Sequence, residues 1–472
     1  MDNFVASLKK QTIRLDGFDD LTSLLTIPIY FWYEKPVPAD VLELAFYKTL
    51  EEFPILAGRI KTGYDSRNYV DIDKDHLNLP EYTDYLCNVH FQTLKDADFD
   101  VNLLPVDYSS SFKTPQPPGI FGNCMKLAEF HVIRLKDDSG MGVFANITHF
   151  VFDGTAYCDF MNRWAYISKS LLAAQKQKQQ DIHDVSVPAR VFQFDRSILE
   201  TDKPTGTDAL EPEVCHMFSA STVVSRWVAW VSPELRGRIY RYMLSSMNPG
   251  NYSVRLSSSA IEHLLQLIRP LAEPGISHLS ANDAIAALAT ILFAQALHKA
   301  GRLEGVPVIL SNIVADMRPR VKRLANINYA GNAALQKMVV SPLDLLLKDH
   351  NPQVLAAVAC NVRRAVDSVD ETYCKQLGHL IYNNPCSHAT VNLQVPSMKN
   401  LVASTNHSRF KYYDVDFGSG IPAIVRPVLH IIENGIITLP AHPSQGGYVI
   451  MFFMAPEVAG AMVESEYWKY LY

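Results

Sequence analysis

The sequence predicts an α/β protein of two domains, on three observations. The chain has 472 residues, more than one core usually fills. Helix-like and strand-like patterns alternate along it. Between Gln175 and about Cys215 a polar stretch punctuated by Pro188, Pro204, Gly206 and Pro212 separates two apolar regions. Domains are therefore expected at residues 1–185 and 246–472, with 186–245 as the connecting segment. Hydrophobic residues make up 48% of the chain and charged residues 19%, which is the balance of a well-buried globular protein rather than a disordered one.

The elements follow from spacing. Leu42, Phe46, Leu50 and Phe53 recur at helical intervals after Pro38 and predict an early amphipathic helix. Residues Cys124–Leu135 alternate apolar and polar, Asp137-Asp138-Ser139-Gly140 is a turn, and Gly142–Thr148 is a second strand, so a hairpin ending at His149 is expected. After Gly154, Tyr157, Phe160, Trp164, Ile167 and Leu171 share one helical face. In the second half, Ser257–Leu271 and Ser280–Ala300 read as helices. Ser280 opens a capping box with Asp283, and the run behind it is apolar on all sides, which predicts a buried helix. Short strand-like runs follow at Val306–Leu310, Thr390–Val395, Val425–Ile432 and Tyr448–Phe453.

Composition narrows the function classes. A net charge of −6 and a pI near 6.2 argue against a nucleic-acid binder, which needs a large positive footprint. The N-terminus has no signal-peptide h-region. The apolar runs Leu24–Tyr33 and Ala284–Leu297 fall short of the roughly 18 residues a membrane span needs. Seven scattered cysteines without CxxC or Cys/His spacing read as reduced thiols of a cytoplasmic protein with no metal site. Asp71-Ile-Asp73-Lys-Asp75 mimics the start of a calcium loop, but His76 and Tyr82 stand where glycine and glutamate are required. No G-x-S-x-G, Walker A or G-x-G-x-x-G is present.

The sharpest local feature is His149-Phe-Val-Phe-Asp153-Gly154, where a strand delivers an imidazole to its own end. Neutral imidazole is matched to taking a proton from a hydroxyl near pH 7. Asp153 stands where a carboxylate caps a helix or pairs with a cation, and Gly154 permits a tight turn into that helix. A hydrogen-bonded core histidine at a strand end is the competing reading of this hexapeptide alone.

The hexapeptide resembles the HxxxDG signature of the BAHD acyltransferases, and four further segments match that family in order. Phe53-Pro-Ile-Leu-Ala57-Gly58-Arg59 is similar to its "yPlAGR", Asp316-Met-Arg318-Pro-Arg320 to its D-x-R-x-R, Tyr329-Ala-Gly331-Asn332 to its "YFGN", and Asp416-Phe417-Gly418-Ser419-Gly420 to its DFGWG. Ser419 departs from the usual tryptophan, which suggests a divergent, fungal-type member. The resemblance spans nearly the whole chain. It implies two similar chloramphenicol-acetyltransferase-like domains with mixed sheets and flanking helices, and an active-site channel at their interface.

The same resemblance implies a chemistry. Acyl-CoA is the expected co-substrate, with no tightly bound cofactor, and a small-molecule alcohol or amine the expected acceptor in a monomeric enzyme of specialised metabolism. His149 would be the general base and no acyl-enzyme would form. Asp153, the second residue of the catalytic signature, would brace the site by pairing with Arg318 rather than relay charge. Thr405 and His407 occupy positions of the family's oxyanion donors, His407 in place of a tryptophan. Gly154, Arg318, Asp416 and Gly418 would be structural, and Ser280, Arg320 and Lys322 would meet coenzyme A. An acetyl donor is the default. Two alternatives stay open: a condensation-type enzyme of the same fold fed by a carrier-protein thioester, and a catalytically silent binding protein.

Overall fold

The computed structural model describes residues 2–22, 25–62, 67–104, 126–176, 181–199, 206–212, 214–215, 250–348, 350–383, 399–428 and 434–471. The expected strand Thr390–Val395, residues 429–432 of the expected strand Val425–Ile432, most of the expected connecting segment, Cys124 and Cys386 lie outside these residues. No helix among the described residues is long and apolar enough to cross a membrane.

The first half supplies strands β1 (Gln11–Arg14), β2 (Thr26–Tyr33), β3 (Arg59–Thr62), β4 (Asn68–Ile72), β5 (Glu81–Leu86), β6 (Ala128–Arg134) and β7 (Met141–Thr148). The second supplies β8 (Gly250–Leu256), β9 (Val308–Asp316), β10 (Ala334–Pro342), β11 (Leu401–Asn406), β12 (Ile424–Pro427), β13 (Gly435–Pro440) and β14 (Tyr448–Met454). They form a mixed five-stranded sheet, β12-β2-β7-β6-β5, a mixed six-stranded sheet, β10-β9-β11-β13-β14-β8, and a small antiparallel sheet, β1-β4-β3. The helices that position the site are α1 (Gly17–Leu21), α2 (Ala39–Glu52), α3 (Gly154–Lys176), α4 (Ser258–Ile268), α5 (Ala281–Lys299), α6 (Pro352–Asp367) and α7 (Glu371–Asn383).

The expected hairpin forms, with Arg134 paired to Met141 and Asp137 and Asp138 in the left-handed region of the turn. All eight residues of β7 are buried because both faces of the sheet are covered. On one face α2 and α3 pack through Phe46, Phe130, Phe160 and Trp164, and the Phe46–Trp164 centroids lie 5.3 Å apart. On the other, Tyr30, Trp32, Ile133 and Phe144 form a separate cluster. Each fully buried ring of this size stabilises the fold by roughly 1.5–3 kcal/mol. In the second half α5 is buried around its whole circumference, against the six-stranded sheet and α4 and α6.

The chain does not keep its two halves apart. After β11 it crosses back, and β12 pairs antiparallel with β2 at the edge of the first sheet. The incoming segment is fastened by Tyr33 Oη donating to the Val415 carbonyl (2.8 Å) and Ser168 Oγ donating to the Phe417 carbonyl (2.9 Å). Phe417 is buried against Trp164 and Tyr33. Asp416 accepts from the Gly418 and Gly420 amides and pairs with Lys169. Gly418 has φ +109°, and a Cβ there would stand 2.8 Å from Leu172 Cδ2. Asp416 and Gly418 thus sit at the crossing between the halves.

Candidate active site

β7 ends at Thr148, and His149 is held at the strand end by its backbone. Its amide donates to the Leu25 carbonyl (2.8 Å), and its carbonyl accepts from Thr22 Oγ1 and Asn332 Nδ2, both at 2.8 Å. The imidazole is positioned by the same Asn332, whose Oδ1 meets His149 Nδ1 at 3.0 Å. Asn332 is itself fixed, because Nδ2 also donates to Asp19 Oδ1 at 2.7 Å. With two oxygens facing Nδ2, the amide orientation is set and Oδ1 must accept. His149 Nδ1 therefore carries the proton, and Nε2 keeps its lone pair.

Asp19 anchors this chain from α1. It is fully buried, completes a capping box with Asp16, and accepts from Arg196 Nε at 3.1 Å. The Arg196 guanidinium spends its other donors on the Phe194, Ala330 and Val151 carbonyls. The Asp19 carboxylate and the Arg196 guanidinium thus lie buried as a matched pair.

Asp153 is 1% exposed and faces Arg318, with Oδ2 accepting from Nη1 (2.8 Å) and Oδ1 from Nη2 (3.0 Å). It also accepts from the Ala156 and Ala333 amides, both at 2.9 Å. Burial alone would raise its pKa, but the Arg318 guanidinium and these amides hold the carboxyl below the usual carboxylate range. The Arg318 head reaches the Tyr329 and Gly331 carbonyls too. Asp153 therefore has no free lone pair aimed at a substrate.

A cavity of about 160 Å³ lies between the two large sheets and is lined by His149. Leu25, with Ile27 and Ile29 of the first sheet, lines it together with Val314, Ile437 and Phe453 of the second. Along β11 and its extension, Ala403, Ser404, Thr405 and His407 line this space. The His407 ring lies 4.7 Å from the Phe410 ring, and its Nδ1 meets Tyr412 Oη at 2.9 Å. Burial, and then the neighbouring His149, push the His407 imidazole down to about 3. Burial likewise lowers the His149 pKa, opposed by Asp153, by its own backbone and by Asn332. Both rings are neutral at pH 7.

Gly154 also lines the cavity, but for a reason other than the expected turn. It is not among the residues with positive φ, whereas a Cβ on it would stand 2.4 Å from Phe410 Cε2. The glycine makes room for the ring that packs against His407.

The remaining expected residues stand outside this cavity. Ser280 caps α5, with its hydroxyl 2.8 Å from Asp283 Oδ2. Arg320 donates to the Asp316 carbonyl at 2.7 Å, and Lys322 is exposed beside Glu371 of α7. Among the described residues no group of three or more His, Cys, Asp or Glu side chains is placed to hold a metal ion. Asp19, Thr22, Arg196 and Tyr412 carry no sequence signal for the site. Only the Asp16/Asp19 cap was readable, three residues apart in Asp16-Gly-Phe-Asp19.

The pattern of the Transferase family matches residues 6–189 and 292–468. The BAHD acyltransferase DCR of Arabidopsis thaliana is 25% identical over 399 residues, covering 83% of this chain and 71% of that protein. Among solved structures, F. graminearum TRI101 complexed with coenzyme A and T-2 mycotoxin superposes with a TM-score of 0.68 at 14% identity, over 97% of this chain and 98% of that one. Vinorine synthase superposes with a TM-score of 0.59 at 14% identity, over 96% and 95%. Both have this two-sheet, two-domain fold.

Proposed function

The chain belongs to the Transferase family, the BAHD acyl-CoA-dependent acyltransferases, and from that premise we propose that it moves an acyl group, acetyl by default, from coenzyme A to a hydroxyl or amine of a small molecule, with His149 as general base. The observation that carries this reading is the Asn332 contact, which leaves Nε2 as the basic nitrogen of a histidine lining the cavity.

The acceptor O–H or N–H gives its proton to His149 Nε2 while its heteroatom attacks the thioester carbonyl carbon. The carbonyl π pair moves to oxygen as a tetrahedral oxyanion forms. Thr405 lines the same cavity, and its hydroxyl is the donor to that oxygen in this reading. Tyr412 Oη lies 2.9 Å from His407 Nδ1, and with the phenol donating there His407 Nε2–H serves as a second donor. Collapse breaks the C–S bond, and the imidazolium returns the proton to the departing thiolate as coenzyme A thiol. Asp153 acts through Arg318, holding the β7–α3 connection against the segment before β10.

The test is thiol release from a panel of acyl-CoAs, followed with a thiol-reactive dye, against acceptor alcohols and amines. Acceptor-dependent release by the protein and not by His149→Ala is expected. Release that His149→Ala supports equally well would overturn the base assignment.

A further inference from the structure

We infer that Asn312 is a recognition point for the acceptor, selecting a predominantly apolar molecule that carries a second hydroxyl or N–H donor besides the reacting one. The inference rests on reading the cavity as the acceptor pocket.

The argument starts from β9. Its residues alternate between faces: Ile309 and Ile313 enter the helix-side cores, and Ser311 bonds Thr290 of α5 at 2.8 Å. Asn312 and Val314 take the opposite face and line the cavity, with Asn312 in register with Ala403 of β11, another lining residue. Asn312 is 8% exposed, and its Oδ1 has no hydrogen-bond partner among the described residues. A buried carbonyl oxygen left this way is costly unless a ligand donates to it.

The surroundings say which ligand. Leu25, Ile27, Ile29, Val314 and Phe453 give the cavity largely aliphatic and aromatic walls. Thr26, Gln336, Ser404 and Thr405 also line the cavity, but among these polar side chains Asn312 alone has a buried oxygen with no partner among the described residues. That suits a compact apolar body with a single extra donor, placed while its reacting hydroxyl lies at His149. A site built to bond a substrate O–H discriminates against the analogue lacking it, because its own buried oxygen then goes unpaired.

The experiment is a binding measurement, so it does not depend on turnover. Rigid alicyclic diols on cyclohexane, decalin and adamantane skeletons are titrated calorimetrically, each against its deoxy and mono-O-methyl analogues. The protein should bind at least one diol about 10-fold tighter than both analogues. Asn312→Leu should erase that preference, and Asn312→Asp, which keeps an acceptor oxygen, should retain it. Coenzyme A titrated in parallel should bind all three proteins alike. A series with no such preference, a preference that Asn312→Leu leaves intact, or a loss confined to coenzyme A overturns the inference. Thiol release with the same diols reports separately on the acyltransferase reading, so diol preference without turnover condemns that reading and turnover without preference condemns this one.

Discussion

Asn332 stands between Asp19 and His149, donating to the Asp19 carboxylate at 2.7 Å and accepting from His149 Nδ1 at 3.0 Å. One amide therefore fixes both the direction and the tautomer of the imidazole. Asn332→Ala removes the fix while leaving the base in place. A fall in kcat of about 10- to 100-fold, with the KM for acyl-CoA little changed, is expected from steady-state kinetics. An unchanged kcat would mean the ring is held by its backbone alone.

His149→Ala removes the base itself. Turnover should fall by roughly two to four orders of magnitude, with the circular dichroism spectrum and melting temperature close to those of the parent.

The pH profile carries a sign. Burial lowers the His149 pKa beneath its ordinary 6.5, so the unprotonated base predominates at pH 7. kcat/KM should have an acid limb centred below pH 6.5, with the plateau on its alkaline side. An acid limb centred above 6.5 contradicts the assignment.

His407 links activity to acid stability. The unfolded chain protonates this residue near 6.5, the folded one not until about 3. Its contribution is therefore complete above 6.5 and is lost as the pH falls toward 3. In His407→Phe the melting temperature should decline less between pH 7 and pH 5 than in the parent. The same variant should lose about 10²-fold in kcat, through the missing oxyanion donor.

Asp153→Ala leaves Arg318 with only the more exposed Asp316 carboxylate, at 3.2 Å, and strips the Ala156 and Ala333 amides of their acceptor. A destabilisation of about 3 kcal/mol is expected in chemical denaturation, together with lost activity. A variant of parental stability that is nonetheless inactive would give Asp153 a direct part in catalysis.

The residues that were legible in the sequence announce themselves locally. The face Tyr157, Phe160, Trp164, Ile167 and Leu171 is buried as its spacing predicted, and so are the α2 face and α5 from Asp283 to Ala294. The Asp153–Arg318 pair came from the family resemblance and is present in the structure. Periodicity reports which face is buried but not what covers it. The Asn332–Asp19 contact joins residues 313 apart, so no window of sequence contains it. Strand β10 passed unnoticed because its alternation includes the buried Lys337, whose charge is matched by Glu211. Gly154 was noticed for its backbone, whereas what it supplies is space for Phe410.

The return of β12 to the edge of β2 has a consequence for how the protein is made. Until residues 424–427 have left the ribosome, the β2 edge lacks its partner, and most of the chain is synthesised while that ladder is open. An exposed apolar edge is where nascent chains pair wrongly. The N-terminal half thus depends on late-synthesised residues for its last strand, and a chain truncated before Ile424 would leave the newborn protein a client for chaperones rather than a finished half.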